Sequence, residues 1–175
     1  MKIPKKLFLI PLIISINMNA FAQLNVSNNA KTVFKLDFSG VWELDDSLSL
    51  FGIIPKTSSS KQIMVNQSPD SIAVTRVGSS VPIQKNDLGG KKTTIYSQKS
   101  ARTKTSVISW NAQGREMIET AKFSYDVLPK KDFQTGYVDI WSLSPDGKIL
   151  TIIRSMETDD PKMNWTTKSV YNKQR

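Results

Sequence analysis

From Gly40 onward, apolar and polar side chains alternate in short runs punctuated by Gly, Pro, Asn and Asp. No 3.6-residue period persists beyond a turn or two, so the pattern argues for strands rather than helices. The runs are rich in Val, Ile, Thr, Trp and Tyr, which pack well on a pleated, half-buried surface. The predicted strands are 40–45, 61–67, 71–77, 92–98, 103–110, 115–123, 136–143, 148–155 and 165–172.

The two-residue alternation assigns faces. In 136–143, Tyr137, Asp139, Trp141 and Leu143 share one side, with Val138 and Ile140 on the other. In 148–155, Leu150 and Ile152 oppose Ile149 and Ile153. Strands apolar on both sides are expected to be central. By contrast 103–110 sets Lys104, Ser106, Ile108 and Trp110 against Thr105, Val107 and Ser109, and it reads as wetter on both faces.

Turn chemistry joins neighbouring runs. Ser68-Pro69-Asp70 links the second and third strands, and Asn111-Ala112-Gln113-Gly114 links the fifth and sixth. Ser144-Pro145-Asp146-Gly147 is the strongest turn: proline presets φ, and Asp-Gly supplies a tolerant corner. Sequential hairpins make a meander, and an open meander would expose two strand edges, which proteins avoid. The expected fold is therefore all-β and antiparallel, a closed barrel of about 8–10 strands spanning residues 38–175. A β-sandwich is the alternative.

The first residues have a different texture. Lys2, Lys5 and Lys6 precede a short apolar run, 7–16, and Ala20-Phe21-Ala22 places small residues where a signal peptidase reads. Residues 1–22 read as a secretory signal peptide, the run being about half the ~20 residues a bilayer crossing requires. Residues 23–37, rich in asparagine, read as a mobile lead-in. The expected location is the periplasm or the outside of the cell, with no transmembrane segment after signal removal. Loss of the three leader lysines lowers the formal charge of +9 by three.

Composition narrows the chemistry. The chain has neither His nor Cys, which excludes histidine triads and the common zinc sites. No cofactor or metal is expected. Ser58-Ser59-Ser60-Lys61 spells Ser-x-x-Lys, but in a serine-rich loop rather than on the helix that would bring Ser and Lys to one face. Glu116 and Glu119 point to opposite faces of one strand. If the Asp139 face is interior, that carboxylate needs a cation such as Arg154 or Arg115. The chain is therefore expected not to be an enzyme.

Phe38-Ser39-Gly40-Val41-Trp42 resembles the Gly-x-Trp opening of the lipocalin and calycin superfamily. Ser106-Val107-Ile108-Ser109-Trp110, the hairpin Asp139-Ile140-Trp141-Ser142-Leu143-Ser144-Pro145-Asp146-Gly147-Lys148, and the closing Val170-Tyr171-Asn172-Lys173 are similar to segments of small exported bacterial lipocalin-like proteins. The resemblance implies a barrel in which Gly40 and Trp42 close one end. It also implies a basic residue near the last strand, Lys168 or Lys173, packed over Trp42. A barrel of this kind is expected to take a small apolar or amphipathic molecule, and the large aromatics placed singly on alternating strands make Tyr96, Trp110 and Trp141 the expected wall residues, with Arg154 as an expected anchor for a carboxylate. A roomy pocket of that kind has a volume above ~300 Å³.

One electrostatic feature stands apart. Lys85, Lys91, Lys92, Lys99, Arg102 and Lys104 gather in a short stretch with Asp87 as the only opposing charge. This predicts, as an alternative role, an envelope-associated interaction module with a basic outer surface that meets anionic envelope material. Its more ordinary use is to keep a strand edge solvated. An exported protein is not expected to meet nucleic acid.

Overall fold

The computed structural model describes residues 35–55, 59–77, 84–126 and 135–175. The expected signal segment 1–22 and most of the lead-in 23–37 lie outside the described residues, as does Ser58 of the Ser-x-x-Lys stretch. The strands in chain order are β1 (Gly40–Leu44), β2 (Gln62–Gln67), β3 (Ser71–Arg76), β4 (Gln84–Asp87), β5 (Thr93–Ser97), β6 (Arg102–Trp110), β7 (Glu116–Tyr125), β8 (Thr135–Leu143), β9 (Ile149–Thr158) and β10 (Trp165–Lys173). The helical elements among the described residues are two short 3-10 turns, Gln98–Ser100 and Pro161–Met163. No helix among them is long and apolar enough to cross a membrane.

All ten strands form one antiparallel sheet in the order β4-β3-β2-β1-β10-β9-β8-β7-β6-β5. The first strand pairs with the last, Trp42 opposite Lys173 and Leu44 opposite Tyr171, so the meander curls into a nearly closed barrel. The seam falls between β4 and β5. Leu88, just past the end of β4, is buried in the core there.

Nine of these strands coincide with predicted ones to within a few residues. The tenth, β4, reads Gln-Lys-Asn-Asp and lacks the β-branched signature; its place is set by the ladder to β3, Ser71 opposite Asp87 and Ala73 opposite Lys85. The 144–147 turn is built as its sequence requires. Gly147 sits at φ 68°, its N–H donates to the Ser144 carbonyl at 2.9 Å, and the Ser144 hydroxyl donates to Asp146 at 2.6 Å.

The register sorts the side chains. Starting from buried Trp42, the pairing carries the inward face through Ile63 and Val65 on β2, Ile72 and Val74 on β3, and Leu150 and Ile152 on β9. On β6 the inward positions are even-numbered, and Ser106 and Ile108 are buried. The expectation of a strand wet on both sides is corrected here. One face belongs to the core, because Ile108 and Ser106 lie opposite Glu119 and Ala121 of β7, which are buried too.

The barrel is packed solid at the Trp42 end. Phe38 stacks on Trp110 at 5.9 Å and meets Trp141 edge-on at 6.0 Å. The Trp42 indole N–H donates to the Phe38 carbonyl at 2.9 Å. The Gln67 side chain accepts from the Phe38 N–H and donates to the Leu36 carbonyl, at 3.0 and 2.8 Å. Residues 35–37, expected to be part of a mobile lead-in, are thereby tied to the barrel, and Lys35 lies over the Trp110 ring.

Candidate functional site

Of the two residues expected to close one end, Trp42 is fully buried in the core and Gly40 is half-buried beside it. Lys173 Nζ lies 5.1 Å from the Trp42 ring centroid, so of the two lysines expected for that position Lys173 takes it. Its stem crosses Gly40, where a Cβ would come within 2.8 Å of Lys173 Cε. Only glycine leaves that path open, and its φ of 143° is one that other residues rarely adopt. Lys168 sits elsewhere, on the outer face, bridged through its backbone to Leu50.

Above the apolar end the interior turns polar. Glu119 and Asp139 are direct neighbours across β7 and β8, and both are buried. Each has its own cation. Lys104 Nζ donates to Glu119 at 2.6 Å. Arg154, opposite Asp139 on β9, donates to it through Nε at 2.6 Å and through Nη2. The Tyr137 ring lies under both cations, 5.2 Å from Lys104 Nζ and 4.1 Å from the Arg154 guanidinium carbon. Burial pushes the Tyr137 phenol well above its ordinary value, and the Glu119 charge adds to that. Burial also raises the Asp139 carboxyl, against the pull of Arg154. The fork of Arg154 is thus fixed on one edge by a carboxylate and on one face by an aromatic ring.

Next to this charged row lies a cavity of about 90 Å³. Trp141, Ile63 and Ile152 give it an apolar side; Ser59, Thr167 and Ser169 give it hydroxyls; Arg76 and Arg154 give it positive charge. Ser59 and Ser169 bond to each other at 2.8 Å across a long stretch of chain. Burial raises the Tyr171 phenol in pKa, and the nearby charges of Arg76 and Arg154 and the hydroxyls of Ser169 and Ser59 oppose that rise. The cavity is smaller than the roomy calyx expected, because Trp42, Phe38, Trp110 and Trp141 together fill the other half of the barrel.

The predicted wall residues separate. Trp141 and Arg154 line the cavity. Trp110 is inward but buries its ring against Phe38 at the packed end. Tyr96 does not join them: the register places it on the outer face of β5, opposite Thr103, and it is 53% exposed. A one-residue step along a strand reverses the face, so the inward neighbours are Ile95 and Ser97. Arg76, Ser59, Ser169 and Tyr171 join the site without a sequence signal, since a lone arginine at a strand end and scattered serines carry no local pattern.

The basic stretch also divides. Lys85, Lys91 and Lys92 are exposed. Lys104 belongs to the interior row, and Arg102 turns inward over Phe123, 4.2 Å from its ring centroid. These two therefore do not contribute to an outer basic face, for the same reason of strand parity. The Lys99 side chain lies outside the described residues.

No protein-family model matches the chain, and no curated protein or solved structure matches it.

Proposed function

We propose that this chain is a non-enzymatic, exported, lipocalin-like barrel that takes a small amphipathic molecule into the cavity beside Arg154. The observation that carries the reading is the cavity itself. It pairs an apolar side at Ile63, Trp141 and Ile152 with hydroxyls and guanidinium groups at Thr167, Ser169, Arg76 and Arg154. Small-molecule sites likewise combine apolar walls with a few fixed polar groups, usually in ~300 Å³ or more; this one is smaller and more evenly polar. The sequence-level likeness to lipocalin-like proteins supports the same reading, and the leader-like residues 1–22 support export. With about 90 Å³ available, the ligand is a short molecule and not a long lipid chain.

Titration of the purified protein with short amphiphiles from acetate to octanoate size, followed by tryptophan fluorescence, tests the proposal. A saturable change from Trp141 or Trp165 is expected, and it disappears in Ile152→Phe, which fills the cavity while circular dichroism stays that of the parent. No saturable change with any of these compounds, or an unchanged response in the filled variant, would reject a cavity ligand.

A further inference from the structure

The cavity carries an unbalanced charge. Two arginines and one aspartate line it, leaving one positive charge in excess. Arg76, at the end of β3, makes no ion pair with a carboxylate among the described residues and is exposed to solvent at the rim. Arg154 is neutralised by Asp139, but that carboxylate takes only one N–H from Nε and one from Nη2. A guanidinium offers five N–H donors. The remaining three find no other acceptor among the described residues, although the side chain forms part of the cavity wall.

Arg154 is also held still. Asp139 and the Tyr137 ring fix Arg154, and the hydrogen-bonded Ser59 and Ser169 line the same cavity, as does Tyr171. Donors that are already oriented lose little freedom when a ligand arrives. A single excess charge matches a monoanion better than a dianion, and a guanidinium edge matches the planar fork of a carboxylate.

We propose that the cavity selects a short-chain carboxylate. Its charged group lies between Arg76 and Arg154, and its apolar remainder lies against Ile54, Ile152 and Trp165. This rests on the cavity being a ligand site, and names the class of ligand.

The test compares butyrate and hexanoate with their primary amides, which have the same shape but no charge, by calorimetry at neutral pH and low salt. The carboxylates are expected to bind about tenfold tighter or more, a difference of roughly 1.4 kcal/mol. Arg76→Gln is the informative variant, because Arg76 stands at the exposed rim and its removal leaves the Asp139–Arg154 pair intact. It should abolish the preference for charge while amide binding persists. Equal affinity of acid and amide would overturn the carboxylate assignment and leave a neutral cavity ligand standing. A preference that survives Arg76→Gln would overturn the place given to Arg76. Failure of acids and amides alike to bind would reject the cavity as a ligand site, and the carboxylate with it.

Discussion

Asp139 and Arg154 face each other directly across β8 and β9, and the guanidinium grips the carboxylate through two of its nitrogens. The aspartate side chain is 2% exposed. Removing Arg154 alone would strand a charge inside the barrel, which typically costs about 3–5 kcal/mol. Arg154→Met should lower the urea midpoint accordingly. Replacing both partners, Asp139→Leu with Arg154→Met, should recover most of the loss, because apolar side chains of similar bulk require no counter-charge. A double variant as unstable as the single one would show that the cost lies in packing around Arg154, on Tyr137 for instance, and not in the unpaired carboxylate.

Gly40 and Lys173 make a second coupled pair. A methyl group at Gly40 meets the lysine stem at 2.8 Å and is also held at a φ of 143°. Gly40→Ala is expected to lose about 1–3 kcal/mol, the usual scale of backbone strain. Adding Lys173→Ala should relieve the clash but not the strain, so the loss shrinks and does not vanish. Lys173→Ala alone also removes a cation from above Trp42, an interaction of about 0.5–1 kcal/mol or somewhat more when desolvated. Chemical denaturation of the three variants separates these terms. Full recovery in the double variant would mean that the backbone angle imposes no cost.

Those two sites differ in how far the sequence reveals them. Gly40 and Trp42 are legible through the resemblance that Gly-x-Trp carries, which leaves Lys168 and Lys173 both open; the β1–β10 pairing is what brings Lys173 opposite Trp42. Strands such as β8 and β9 are legible because β-branched and aromatic residues alternate around a Pro-Asp-Gly turn. Strand β4 is not, since its polar residues join the sheet only through the ladder to β3. Tyr96, Arg102 and Lys104 show a second limit. A period of two tells which residues share a face, but not which face is inside; the β5–β6–β7 register decides that. The cavity is the least legible part. Ser59, Arg76, Ser169 and Tyr171 come from a loop and two strands far apart in sequence.

The buried phenols predict an alkaline limit to stability. Tyr137 and Tyr171 both have pKa values raised above the ordinary 10.0, in each case chiefly by burial. Above pH 10 the unfolded chain releases these protons while the folded chain keeps them. The unfolded state then binds fewer protons, so stability is fully present below pH 10 and falls as pH rises beyond it. The slope is about 1.4 kcal/mol per pH unit for each tyrosine. Tyr137→Phe should flatten the fall by one such increment. Absorbance titration should show two of the four tyrosines ionising only as the fold is lost. Reversible ionisation of all four in the folded protein would contradict this.

Leu88 tests how the seam is held. Strand β4 pairs on one side only, with β3, and it ends the sheet. Immediately after it comes Leu88, 2% exposed in the main core, whose N–H donates to the Asp70 carbonyl at 2.8 Å. Burial of this side chain therefore anchors an edge strand too short to hold itself. Leu88→Ala should cost about 2–5 kcal/mol through lost burial and the cavity left behind. The loss should also be local. Amide exchange at β4 is expected to switch from global unfolding to a sub-global opening, while β8 and β9 keep the protection set by the whole fold. Equal acceleration in every strand would mean that β4 is held by its ladder alone and that Leu88 contributes only its share of the common core.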